Sequence, residues 1–220
     1  AFKELPQPIL VITSEFGTVS MWDWEINSYL DSYGVKVIAP PNLETTLKAC
    51  KVIALKKQLK QSKLLVYQDN PGEGFQPDIF KRFYWWEDEC INALRDKFGV
   101  EVVKRSFKQL GRKAQDIDNQ SAREVWADWK DRIPVGEVTE NQILSAVKVY
   151  MALKEELSQD PAIISAGINC LNESHYSDTT PCLAWNMLFE EQGLAWGCEA
   201  DLVVMMTEVL IGNSLGIPFM

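Results

Sequence analysis

The sequence predicts an α/β fold in which a three-layer, doubly wound and mostly parallel sheet follows part of a second α/β domain. Short apolar, β-branched runs alternate along the chain with longer segments whose apolar residues recur every three or four positions. This alternation is typical of βαβ units, in which helices cover the faces of a parallel sheet. The 220 residues, 46% of them hydrophobic, are enough to bury a sizeable core. A Rossmann-like arrangement is therefore expected.

The strands are predicted from apolar runs bounded by residues that favour turns. In chain order, they are expected at residues 8–14, 35–39, 63–68, 100–103, 162–171 and 194–198. The last residues, Ile217 to Met220, look like the start of one more strand.

The helices are predicted from apolar periodicity together with residues suited to their ends. Gly34 suits the end of a first helix within residues 16–34, and Thr139 suits the start of a long one. Pro181 and Gly193 mark the two ends of a short helix. After the first helix, helices are expected at 43–61, 79–98, 121–132, 139–157, 181–191 and 202–211. Residues 106–120 are polar and have no clear pattern.

Three segments are expected in the chain. The sequence changes in character after residue 61, where a loop containing Gly and Pro and a long helix rich in aromatic residues follow the strand at 63. This change separates the C-terminal part of a first α/β domain, 1–61, from a central Rossmann-like domain, 62–197. Residues 198–220 are expected to begin a further C-terminal domain. Because the chain starts at Ala1 without a methionine and stops in an apolar run, we expect a segment of a longer polypeptide.

Composition narrows the classes of partner. A net charge of −9 argues against nucleic acids and anionic membranes, which require a basic surface. No apolar run has the length of roughly 18 residues that a membrane span requires. Five cysteines, an odd number without a C-x-x-C pair, favour reduced thiols in a cytoplasmic protein.

Acidic residues follow two of the predicted strands. Glu173 comes after the strand that ends at Leu171, and Glu199 comes after the strand that ends at Cys198. One right-handed crossover joins these strands, so both carboxylates are expected at the same edge of the sheet, where such folds bind ligands. Neighbouring strands lie about 4.8 Å apart, which would let the two carboxylates share one hard divalent cation.

Each of these residues also has a purely structural interpretation. Taken alone, Glu173 is better explained as an exposed loop carboxylate, and Asp201 as the N-cap of the next helix. His175, the single histidine, fits a solvated loop residue as well as a ligand or proton shuttle. Trp196 is a candidate wall of a sugar pocket, as are Trp24 and Trp185, although core packing is the favoured role for all three.

Several common sites are absent from the sequence. The glycines at 72–74 lack the spacing of a dinucleotide or P-loop motif, and no G-x-S-x-G elbow is present.

Residues 167–218 resemble the L-arabinose and L-fucose isomerase family. The shared pattern is a loop glutamate, a short helix rich in Pro, Leu and Ala, and a tetrapeptide like G-E-G-D, here residues 198–201, Cys-Glu-Ala-Asp. A helix and a G-x-P-like strand start at 216–218 follow it. The pattern covers about 50 residues, and upstream only the architecture is similar.

The resemblance implies an aldose–ketose isomerase that moves a proton between C1 and C2 of an open-chain sugar through an enediolate. It implies that Glu173 and Glu199 bind Mn²⁺ and serve as acid and base, with Asp201 as an alternative ligand. His175 and Trp196 are the candidate substrate-binding residues. The family's substrate pocket takes residues from a neighbouring subunit, which implies a homo-oligomer.

One feature of the family is not present in these 220 residues. Members complete the metal site with histidines further downstream, so half of a metal site is expected here. This leaves two main interpretations, a segment of an isomerase and a non-catalytic sugar-binding or regulatory protein on the same scaffold. A third interpretation, an unrelated flavodoxin-like binding module, requires the resemblance to be coincidental.

Overall fold

The structure is a computed structural model that describes residues 2–12, 19–69, 88–170 and 176–217. The chain forms two compact units, one made of residues 1–56 with 213–215 and the other of 57–212 with 216–220. The sequence predicted the first boundary near residue 61. That residues 198–220 begin a further domain stays a prediction.

The first unit contains a short parallel pair of strands, β1 (Ile9–Leu10) and β2 (Val37–Ile38). Helix α1 (Val19–Ser32) lies between them in the chain. Gly34 follows α1 with φ of 72°, a left-handed conformation that glycine adopts without strain, as the sequence predicted. Both strands are shorter than expected, and residues 13 and 14 of the first lie outside the described residues.

Helix α2 (Leu43–Leu59) begins where the Asn42 side chain accepts the amide of Thr45. The sequence predicted that Leu47, Val52, Leu55 and Leu59 would form its buried face. Leu55 and Leu59 are buried, but Leu47 and Val52 are exposed, so that part of the prediction is wrong. Leu47 lies about 80° around the helix axis from Leu55 and about 120° from Leu59, which removes it from their face, whereas the helical spacing does not explain the exposure of Val52.

The second unit is built on a parallel sheet of four strands, which confirms the α/β prediction. The strands are β3 (Lys63–Tyr67), β4 (Glu101–Arg105), β5 (Ile163–Ile168) and β6 (Ala195–Cys198). Their order across the sheet is β4-β3-β5-β6. Each lies where the sequence predicted a strand, with ends that differ by a few residues.

The helices of this unit, in chain order, are α3 (Asp88–Phe98), α4 (Phe107–Asp116), α5 (Asn119–Trp129), α6 (Glu140–Ser158), α7 (Cys182–Gln192) and α8 (Leu202–Leu215). Thr139 and Gln142 form a capping box at the start of α6, and Gly193 ends α7 with φ of 64°. Both ends were predicted. Residues 79–87 of the predicted third helix lie outside the described residues.

Helix α4 was not predicted. It begins at the N-cap Ser106 and buries Phe107, Leu110, Gly111 and Ala114 at helical spacing. Gly111 and Ala114 are too small to stand out in a hydrophobic pattern. Gly111 is small because the helix lies close to Tyr176, where a Cβ on Gly111 would lie 2.2 Å from the Tyr176 carbonyl oxygen.

The last helix is longer than the sequence predicted. A helix was expected at 202–211, but α8 continues to Leu215, and Gly216 is its left-handed C-cap with φ of 66°. The strand expected from Ile217 to Met220 lies mostly outside the described residues and stays a prediction.

Helices cover both faces of the sheet at β5 and β6. On one face, the ring of Trp185 in α7 stacks on Trp196 of β6. On the other, Gly197 contacts α8 so closely that a Cβ there would lie 2.4 Å from Cγ of Met205. Side chains alternate between the faces of a strand, so Trp196 and Gly197 face opposite layers. This part of the fold is three-layered, as predicted.

The main core lies between the sheet and helices α4 to α7. Its central residues include Leu65, Tyr67, Leu153, Ile168 and Trp185, all essentially inaccessible to solvent. No helix in the described part of the chain is both long and apolar enough to cross a membrane.

Candidate functional site

The candidate site lies where β5 and β6 end. The two strands are parallel neighbours, and Ile168 is paired with Cys198 at the end of the ladder. Residues that follow these strands therefore emerge at the same edge of the sheet, as the sequence predicted. Glu199 follows β6 directly, whereas Glu173 and His175 lie outside the described residues.

The turn after β6 has an unusual backbone. Glu199 and Ala200 both have φ of 57°, in the left-handed region that non-glycine residues rarely occupy. Two hydrogen bonds hold the turn, from the Ala200 amide to the Gly197 carbonyl at 3.2 Å and from the Asp201 amide to the Cys198 carbonyl at 3.1 Å. Such conformations cost about 1–3 kcal/mol each and are concentrated at ligand sites.

Packing supports this strained turn. Ala200 is completely buried, and its Cα approaches Gly167 so closely that a Cβ on Gly167 would lie 2.8 Å away. The turn therefore folds over β5 because Gly167 lacks a side chain. This contact determines the position from which Glu199 extends.

Two thiols surround the Glu199 carboxylate. Cys170, two residues after β5, lies with Sγ 3.1 Å from Glu199 Oε1 and donates a hydrogen bond to it. Cys198 Sγ lies 3.7 Å from the same oxygen. Burial, followed by the charge of Glu199, raises the pKa of Cys170 far above that of a free thiol, and the pKa of Cys198 is raised for the same reasons. Both thiols are therefore protonated at neutral pH in this arrangement.

Asp201 is the N-cap of α8. Its Oδ1 accepts the backbone amides of Val203 and Val204, each at 2.9 Å. The structure thus shows the capping role that the sequence left open, and a role as metal ligand stays a prediction. In the described part of the chain, the group of closely spaced ligand atoms consists of Cys170, Cys198 and Glu199.

Trp196 packs largely against the core. Its ring lies 5.2 Å from the ring of Trp185 with an interplanar angle of 16°, a stacked arrangement. Trp185 is fully buried, as predicted, whereas Trp24 is 71% exposed, so the expectation of core packing is wrong for Trp24.

Glu208 is a titratable residue near the site that the sequence did not indicate. Its Oε2 accepts the backbone amide of Trp196, a residue of the edge strand β6, at 2.9 Å. Burial raises the pKa of Glu208 to about 7, and the hydrogen bond from Trp196 opposes this shift. The one signal available in the sequence was that Glu208 lies seven residues, or about two helical turns, after Asp201 on an apolar helix.

Polar groups also follow β3 at the same edge. The Asp69 carboxylate accepts the hydroxyl of Ser106 at 2.5 Å and the amide of Lys108 at 2.9 Å, at the start of α4. Gln68 is only 7% exposed, and neither its Oε1 nor its Nε2 has a hydrogen-bond partner among the described residues. Buried amides without partners are uncommon and costly, so Gln68 is a further candidate for ligand contact.

The described donors are a poor match for Mn²⁺. Mn²⁺ prefers carboxylate and water oxygens, whereas two of the three donors here are sulfur atoms. Glu199 supplies one suitable oxygen, and the other acid predicted as a ligand, Glu173, lies outside the described residues. The cysteines were missed in the sequence because they lack a metal-ligand spacing. Their positions at the ends of adjacent strands were the only available signal.

Comparison with known proteins does not identify a family. No protein-family model matches the chain, and no curated protein matches it.

Proposed function

We propose that the chain is part of a metal-dependent aldose–ketose isomerase of the L-arabinose/L-fucose isomerase type. The arrangement of β5 and β6 is the observation that most supports this proposal. Because they are parallel neighbours, Glu199 and Cys170, which precedes the segment 171–175 in the chain, lie just beyond strand ends at one edge of the sheet. Of two carboxylates at one edge, one can act as the base in proton transfer between C1 and C2 and the other as acid or metal ligand.

Glu199 is the proposed acid–base residue. In this role a carboxylate oxygen removes the proton from one carbon of the open-chain sugar and returns it to the next, with an enediolate between the two steps. The backbone at 199 and 200 is strained and packed, which supports such a role because catalytic groups require fixed positions. The Cys170 thiol, which donates to Oε1, helps to orient the carboxylate.

The proposal includes a divalent cation, with Mn²⁺ as the ion that the family resemblance implies. When bound, such an ion would polarise the sugar oxygens and stabilise negative charge on them. Glu173, Glu199 and Asp201 are the proposed ligands. Both capping bonds of Asp201 are made to Oδ1, so a ligand role would be served by Oδ2.

The substrate and the assembly are also part of this proposal. His175 and Trp196 are the proposed sugar contacts. Since one face of the Trp196 ring stacks on Trp185, its other face or its edge would meet the sugar. A homo-oligomer is proposed on the basis of the resemblance, and a cytoplasmic location on the basis of the five cysteines without a C-x-x-C pair.

The test is isomerisation of an aldopentose or a deoxyhexose by the whole protein that contains this chain, with Mn²⁺ and after chelation. Glu199→Gln is expected to abolish turnover, since the amide cannot accept the substrate proton. Glu124→Gln, the same change at an exposed position on α5, is the matched control and should keep full activity. Full activity of Glu199→Gln would rule out the assignment.

The non-catalytic alternative is separated by binding. Calorimetry with sugars before and after chelation is expected to show binding that depends on the metal if the protein is an isomerase. Metal-independent binding without turnover would instead support a sugar-binding or regulatory protein.

A further inference from the structure

The donors around Glu199 come from the ends of two adjacent strands. Cys170 follows β5, Cys198 ends β6, and Glu199 is the next residue. One ligand atom from each of the three lies within 4.8 Å of the other two. We propose that Cys170, Cys198 and Glu199 form a binding site for a borderline-soft divalent cation, with Zn²⁺ or Cd²⁺ as the ion.

The spacing of the three donors is close to that of a tetrahedral site. With Zn–S of about 2.3 Å and Zn–O of about 2.1 Å, tetrahedral angles place sulfur and oxygen about 3.6 Å apart and two sulfurs about 3.8 Å apart. The observed separations from Glu199 Oε1 are 3.1 Å for Cys170 Sγ and 3.7 Å for Cys198 Sγ, and the two sulfurs lie within 4.8 Å of each other. Small side-chain movements would therefore bring all three atoms to coordination distance.

The chemistry of the donors selects the class of ion. Thiolates favour Zn²⁺ and Cd²⁺, whereas Mn²⁺ and Mg²⁺ favour oxygen ligands. The ion would replace the thiol protons, and each cysteine that becomes a thiolate ligand releases one proton to solvent. Two thiolates and one carboxylate leave a fourth position open, which is the pattern of zinc sites that admit water or substrate.

The backbone around the cluster is already fixed. Glu199 and Ala200 are held in left-handed conformations by the contact with Gly167 and by the two turn hydrogen bonds. A site whose ligands are held by packing loses less conformational entropy when the ion binds. This inference uses the same carboxylate as the proposed function but does not require that function, because ion binding is measured without turnover.

The test is a titration of the metal-free, reduced protein with Cd²⁺, followed by the ultraviolet charge-transfer band of cadmium thiolates. The band is expected with one ion per chain. Cys170→Ser and Cys198→Ser are each expected to weaken binding by at least about tenfold and to reduce the band. Cys50→Ser, at an exposed cysteine of α2, is the control and should leave both unchanged. Unchanged binding and an unchanged band in Cys170→Ser and Cys198→Ser would overturn the proposal, as would the absence of a band in the wild-type protein.

A second measurement keeps the proposal testable if Cys170→Ser or Cys198→Ser fails to fold. In the wild-type protein, Cd²⁺ should protect Cys170 and Cys198 from alkylation, as measured by mass spectrometry, and leave Cys50 reactive. Protection of Cys50 in place of these two would contradict the site. A cadmium band in a protein without isomerase activity would support this site and count against the proposed function, so the two ideas fail separately.

Discussion

Glu156 is expected to be a principal electrostatic contributor to the stability of the second unit. It is 6% exposed on α6, and its carboxylate accepts three hydrogen bonds. Tyr67 donates its hydroxyl to Oε2 at 2.8 Å, Arg105 donates to the same atom at 3.1 Å, and Lys113 donates to Oε1. A buried carboxylate of this kind joins β3, β4, α4 and α6 through side chains alone.

The expected cost of Glu156→Gln follows from the environment of each donor. The Tyr67 side chain is fully buried, so a hydroxyl left without an acceptor costs about 1–3 kcal/mol. Arg105 and Lys113 are 29% and 51% exposed and can be hydrated, so each lost ion pair costs only about 0–1 kcal/mol. Because the amide oxygen can still accept one donor, the net loss is expected to be about 2 kcal/mol.

The pH dependence gives the prediction a second readout. Burial acts to raise the pKa of Glu156, but hydrogen bonds from Lys113, Tyr67 and Arg105 together outweigh it and lower the pKa. A carboxyl group with a lowered folded pKa stabilises the protein above its unfolded pKa, and this contribution is lost as the pH falls through the folded pKa. The variant should lack this part of the acid-induced loss.

Urea unfolding of the wild type and the variant, at neutral pH and at several acidic values, measures both effects. Glu155→Gln, at the adjacent exposed position of α6, is the matched control and should change the free energy of unfolding by less than about 0.5 kcal/mol. If Glu156→Gln were as stable as the wild type and showed the same acid profile, the carboxylate would not contribute as argued.

Two further predictions concern β6. Gly197→Ala is expected to lower the free energy of unfolding by about 1–3 kcal/mol in thermal unfolding, because the new Cβ would lie 2.4 Å from Met205 Cγ and 3.0 Å from the Asp201 carbonyl oxygen. Gly136→Ala, which has open space around the new Cβ, is the control. A Gly197→Ala variant as stable as the wild type would show that α8 does not pack so tightly on β6. Glu208 has a folded pKa raised to about 7, so its ionisation is penalised in the folded state and stability should fall as the pH rises from the unfolded pKa towards 7. Glu208→Gln should remove this decline, and an unchanged pH profile would contradict the raised pKa.

The sheet was predictable because its strands have a strong local signal. Buried parallel strands such as β3 and β5 are nearly continuous apolar runs, and the helices between them have clear caps at Thr139 and Gly193. The pairing of β5 with β6 was predictable because a single short crossover, with one helix in it, joins the two strands. Helix α4 was missed because two of its buried residues, Gly111 and Ala114, are too small to give the segment a clear hydrophobic periodicity.

The site was only partly predictable, and the reason is physical. A strand end determines where a residue leaves the sheet, and this placed Glu199 at the correct edge. The direction of its side chain depends on the turn at 199 and 200, which requires a glycine at 167 to accommodate it. Gly167 is 32 positions before Glu199 in the sequence, and no local rule connects them. The contact that brings Cys170 to Glu199 depends on the same turn, so the thiols and the carboxylate become neighbours only when β5, β6 and the turn pack together. Local patterns therefore identify the strand ends, whereas the donor set of the site is a property of the tertiary packing.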